Sequence, residues 1–161
     1  MHKNLLSYCH INTYMKDAYT SAFYGVVRET QNTSGYALPE SLEAYIVMLL
    51  ASKMETPNFL PEESFAVEYV KLKKPAKLNA KELGDTCLFV SGVFPNYGKK
   101  YGLHKNYYKK IGTSSYEMVA ETMNGELFSS LAMHFNFLSD FIKLSTTPSS
   151  FYNQQMDVPL N

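Results

Sequence analysis

The sequence predicts an all-α, single-domain bundle of about five to six helices around a buried central helix at about residues 80–94. Three observations carry this. In Glu82-Leu83-Gly84-Asp85-Thr86-Cys87-Leu88-Phe89-Val90-Ser91-Gly92-Val93-Phe94-Pro95, residues 83, 87, 90 and 94 share one helical face and 88, 89 and 93 fill its flank. A helix apolar over most of its circumference is buried among other helices. Apolar residues also recur at three- and four-residue spacing in several flanking stretches. Finally, 161 residues with 45% hydrophobic and 19% charged side chains suit one domain with a substantial core.

Residues 14–30 form the first predicted helix, with Met15, Ala18, Tyr19, Ala22, Phe23 and Val26 at i, i+3, i+4 spacing. Residues 31–35 read as a loop by composition. Pro39 suits the first turn of the next helix, with Glu40 and Glu43 near the positive end of its dipole. Leu42, Tyr45, Ile46, Leu49 and Leu50 carry that helix toward Pro57, and Val47 and Met48 add a second apolar side.

Pro61-Glu62-Glu63 opens a helix through Leu72, although the alternation of Phe65, Val67 and Tyr69 leaves a strand open there. Residues 71–79 are a basic connector. Asn79 suits the cap of the central helix, with Glu82 as its capping-box partner. Gly84, Ser91 and Gly92 leave notches on that helix where a neighbouring backbone can approach. After Pro95 an irregular turn spans 96–102, and a helix follows from about 105 to 123. Asn124-Gly125 breaks the chain, and a final helix runs over 126–144 with Leu127, Phe128, Leu131, Phe135, Leu138, Phe141 and Ile142 as its stripe. The single helical domain thus spans 1–144, and the Ser-, Asn- and Gln-containing residues 145–161 form an extended or disordered tail.

Two cysteines, Cys9 and Cys87, make no disulfide framework, and Cys87 within the core pattern behaves as a small hydrophobe. Neither a signal peptide nor a membrane-spanning apolar run of about 18 residues is visible, which points to a cytoplasmic protein. Net charge is zero but segregated: residues 71–110 hold ten lysines against Glu82 and Asp85, a net +8 balanced by −8 elsewhere. Lys99, Lys100, Lys105, Lys109 and Lys110 mark a surface for an anionic partner, against the plainer reading of a solvated basic face. Arg28 is the sole arginine, which disfavours nucleic acid because Arg forks dominate base and phosphate recognition.

The chain from about 38 to 144 resembles a functionally uncharacterised family of bacterial all-helical proteins. The resemblance is carried by residues 45–50, by the run from Glu82-Leu83-Gly84-Asp85 to Phe94-Pro95, by Tyr107-Tyr108, Ile111-Gly112 and Ser115-Tyr116, and by residues 127–141. It implies an all-α fold and no particular reaction.

Asp85 is the most suggestive polar residue, an acid in an otherwise apolar helix that needs hydrogen-bond partners or solvent. Tyr107, Tyr108, Tyr116 and the hydroxyls of Thr113, Ser114 and Ser115 are the expected partners from the next helix. No catalytic residue is assigned. Ser91 lacks a Gly-x-Ser-x-Gly elbow, no Glu-x-x-His pair serves a metal, and no Walker or dinucleotide fingerprint appears, so neither metal nor cofactor is expected. The expectation is a non-enzymatic cytoplasmic interaction protein, an adaptor or accessory subunit with a protein partner, with self-association left open. The alternative is a small-molecule sensor or enzyme with a pocket between helices 80–94 and 105–123, lined by Asp85, Tyr107, Tyr108 and Tyr116.

Overall fold

The computed structural model describes residues 3–56, 58–60, 64–71, 77–122 and 124–148, with the side chains of 3–14, 71, 77–79, 100 and 105 outside that description. Within these residues the chain is helical, without a strand: α1 Lys3–Ser34, α2 Glu40–Glu55, α3 Phe65–Lys71, α4 Lys77–Val93, a 3-10 turn Lys99–Tyr101, α5 Lys105–Ala120, α6 Gly125–Met133 and α7 Phe135–Thr146.

The predicted central helix is α4. Every residue from Leu83 to Gly92 is buried, as its all-round apolarity requires. It packs chiefly on α5 and α7, and more thinly on α2 and α3. Its two glycine notches are filled, but a neighbouring backbone enters only at Gly92, and Gly84 takes an aromatic side chain instead. A methyl group on Gly84 would stand 2.8 Å from Cδ1 and Cε1 of Tyr116, and one on Gly92 would stand 2.5 Å from Ile142 Cγ2 and 3.1 Å from the Ser139 carbonyl oxygen. A third close approach, Gly112 of α5 against Phe135 and Cys87, was not among the expected notches. Cys87 is wholly buried, and burial drives its thiol pKa well above the usual range.

Several boundaries move. α1 runs on through 31–34 because the Thr30, Thr33 and Ser34 hydroxyls donate to carbonyls one turn back, at 2.9, 2.9 and 2.6 Å, so their polarity is satisfied within the helix. Gly35, at φ +74°, ends it, donating its N–H to the Gln31 carbonyl. The Gln31 side chain then pins the corner, accepting from Leu38 N–H at 2.6 Å and donating to Glu43 at 2.5 Å. Pro39 lies just before α2 rather than inside its first turn, and its carbonyl accepts from the Leu42 and Glu43 N–H groups at 2.9 Å. α4 starts at Lys77, so Asn79 is inside the helix and not its cap. The stretch 65–71 is helical, and Pro57 and residues 61–63 lie outside the described residues.

The predicted helix over 126–144 is two helices, bent at His134 (φ −99°, ψ 14°). The bend lets α6 pack on α5 while α7 packs on α4, each satisfying its own part of the apolar stripe. The helix also reaches Thr146, so Ser145 and Thr146 are not tail, and residues 149–161 lie outside the described residues.

α1 and α2 form an antiparallel hairpin on one side of the α4–α7 bundle. At 1.5 Å per residue α1 is about 48 Å long and α2 about 24 Å, so α2 accompanies only the second half of α1. Residues 15–18 are exposed in succession, consistent with a helix that has passed its neighbour.

Candidate functional site

The polar centre of the molecule lies where α2, α4 and α5 meet. The Asp85 carboxylate on α4 is 6% exposed and accepts three hydrogen bonds. Tyr45 of α2 donates to Oδ1 at 2.5 Å, Tyr116 of α5 donates to the same oxygen at 2.9 Å, and Lys81, one turn back, donates to Oδ2 at 2.5 Å. Lys81 Nζ also sits 5.2 Å from the Tyr45 ring centroid, and the Tyr45 and Tyr116 rings meet edge to face at 6.5 Å. Burial, reinforced by the Asp85 charge, drives both phenol pKa values far above their usual range, so each hydroxyl stays a donor.

Toward the other end of α2, Lys53 supplies a second polar crossing. Its side chain is 3% exposed, yet it pairs with Glu82, which is 64% exposed, and donates to the Thr86 hydroxyl at 2.9 Å. The Thr86 hydroxyl donates in turn to the Glu82 carbonyl at 2.8 Å. The Phe59 ring lies 5.6 Å from Nζ. Hence α2 is joined to α4 by two polar rungs, Tyr45–Asp85 and Lys53–Glu82/Thr86, reaching across a thin contact. Glu82, expected as a capping partner, serves this rung instead.

Of the residues expected around Asp85, only Tyr116 reaches it. The Tyr107 hydroxyl accepts from the Ala66 N–H at 3.0 Å and so serves the start of α3. Tyr108 is buried edge-on against Phe65 at 5.2 Å and Tyr107 at 5.1 Å, and burial pushes its hydroxyl up to about 12. Ser115 spends its hydroxyl on the Ile111 carbonyl at 2.8 Å, and Thr113 Oγ1 is buried without a partner. The helical wheel explains this: at about 100° per residue Tyr107 lies opposite Tyr116 on α5, and Tyr108 points well away from it. Sequence reasoning missed Tyr45, Lys81 and Lys53. Only Lys81 carried a direct signal, its i, i+4 spacing to Asp85.

The expected pocket between α4 and α5 coincides with close packing of the two helices. Tyr116 fills the notch at Gly84, and Gly112 meets Cys87. Two grooves lie elsewhere, one of about 520 Å³ between α1 and α2 and one of about 410 Å³ beside the end of α7 near Tyr36 and Phe137. On the basic surface Lys99 and Lys110 are exposed and Lys109 is half-buried, while the Lys100 and Lys105 side chains lie outside the described residues.

Chemically, the Asp85 cluster is a closed set of bonds. Its carboxylate has no open face for a substrate, and its donors come from three helices that it ties together. Among the described residues no group of three or more His, Cys, Asp or Glu side chains is placed to hold a metal ion, and no helix is long and apolar enough to cross a membrane. Compared with known proteins, the chain matches no family model, no curated protein and no solved structure.

Proposed function

We propose that this chain is a non-enzymatic, cytoplasmic helical interaction protein, an adaptor or accessory subunit. The observation that carries the reading is the enclosure of Asp85: the one buried acid among the described residues is consumed in bonds between helices. What the molecule offers to solvent is contact surface, with exposed lysines at Lys99 and Lys110 and half-exposed apolar side chains at Tyr24, Met48 and Phe94. Surfaces that mix aromatic and methionine side chains with segregated charge suit partner binding.

The test is affinity capture from native lysate with the full chain, followed by charge reversal at Lys99, Lys109 and Lys110. A stoichiometric partner whose retention falls on reversal supports the reading. A pure, partner-free preparation that turns over a metabolite defeats it.

A further inference from the structure

We propose that the groove between α1 and α2 is a docking site for an amphipathic helix of a partner protein carrying basic side chains. This rests on the interaction reading above and gives it a second surface, separate from the lysines. The groove has the form a helix needs. It lies between two antiparallel helices, has Leu38 and Val47 buried at its base, and carries half-exposed Tyr24 and Met48 on its two rims. Thr20 and Ala44 are small enough to let a third backbone approach. At its far end α1 continues past α2 with Met15 half-exposed, so a helix leaving the groove still has a surface to follow. Apolar residues at i, i+3, i+4 and i+7 fill such a groove, and methionine adapts to their shapes.

Charge gives the partner its sign. Arg28 and Glu43 both line the groove and face each other at 3.8 Å, with Arg28 also 5.6 Å from the Tyr24 ring centroid. Glu43 is further held by Gln31 at 2.5 Å. Arg28 keeps 58% of its side chain exposed and Glu43 only 12%, and with Glu40 the lining carries two acids against this one base. Glu40 is an exposed acid on the groove, without an ion-pair partner among the described residues. A helix that lays its apolar face on Tyr24 and Met48 meets that carboxylate with its flank, and a lysine or arginine there complements it.

The experiment uses the full chain and two fluorescein-labelled model peptides, an amphipathic helix of leucine and lysine and its twin with glutamate in place of lysine. The lysine peptide is expected to bind at least about tenfold more tightly than its twin. Tyr24→Gln combined with Met48→Gln should weaken it about tenfold, and Glu40→Lys should remove or invert the preference between peptides. Met133→Gln, at a site 80% exposed on α6, should change binding by less than about twofold. Melting temperatures near that of the parent show that the variants remain folded. Binding of neither peptide, equal binding of both, or equal losses from the groove and Met133 variants overturns the proposal. Such a failure, with capture still lost on reversal of Lys99, Lys109 and Lys110, leaves an interaction protein whose contact surface is the lysine face.

Discussion

The Tyr116 ring occupies the space that a side chain on Gly84 would fill, and its hydroxyl is simultaneously bound to Asp85 one position along the same helix. One aromatic residue therefore sets both the separation of α4 from α5 and the orientation of the buried carboxylate.

Gly84→Ala should destabilise the fold for that reason. Alanine gains about 1 kcal/mol in helix propensity, but overpacking costs about 1–3 kcal/mol, and this ring has no freedom to retreat while it holds Asp85. The expected net is a loss of about 1 kcal/mol, read as a lowered melting temperature. Gly25→Ala supplies the contrast, since nothing lies within 4 Å of a methyl group there. It should raise stability by about 0.5–1 kcal/mol. Equal effects of the two substitutions would contradict the packing described.

Asp85→Ala leaves two phenol hydroxyls without their acceptor in a buried site, and each such group costs about 1–3 kcal/mol. The variant should lose more than about 2 kcal/mol in denaturant unfolding, whereas Tyr45→Phe should lose about 1 kcal/mol. A double-mutant cycle between Tyr45→Phe and Asp85→Asn should show coupling of about 0.5–3 kcal/mol. Additive losses would mean that the short Tyr45–Asp85 contact carries no energy of its own.

The Lys53–Glu82 rung should respond asymmetrically. Glu82→Gln leaves a buried ammonium without its counter-charge and should destabilise the fold by about 1–3 kcal/mol. Lys53→Met removes the buried cation, fits an apolar setting beside Phe59, and leaves Glu82 hydrated, so stability should be unchanged or higher. Paired thermal melts of the two variants decide this.

Alkaline pH should unfold the protein in a defined direction. The hydroxyls of Tyr45, Tyr108 and Tyr116 and the Cys87 thiol all have pKa values raised by folding. Between the unfolded and folded values the unfolded chain binds fewer protons, so stability falls as pH rises. The loss begins near the unfolded thiol and phenol values, about 8.5 and 10, and for Tyr108 continues to about 12. Tyrosinate absorbance should therefore show Tyr45 and Tyr116 ionising only together with the loss of helical circular dichroism. Ionisation of all 13 tyrosines in a chain still helical would refute this assignment.

Much of the architecture is legible from residue patterns because burial leaves a direct mark on composition. α4 is apolar around its circumference and is buried all round, and its glycines at 84 and 92 are notches for close neighbours. The bend at His134 is invisible because an apolar stripe continues through it, and the choice of two different packing partners is a property of the assembled bundle. The same holds for the polar cluster. That Asp85 needs partners follows from its setting, but Tyr45 and Tyr116 lie 40 and 31 residues away and are delivered by topology. Tyr107 and Tyr108, attractive by composition, fall on the wrong sides of α5. Lys53 sits in a leucine-rich run where a lysine is ordinarily expected to reach solvent, and its burial shows only once Glu82 and Thr86 are opposite it.

The paired crossings between α2 and α4 also act as an index mark. Greasy surfaces of helices accept several alignments at little cost, but a slip of one turn, about 5.4 Å, would pull Tyr45 from its carboxylate and strand an ammonium among hydrocarbon. Directional bonds at two separated points admit a single setting of the hairpin. The geometry of the α1–α2 pair, and of whatever it meets, is thereby inherited from the five side chains of the two crossings.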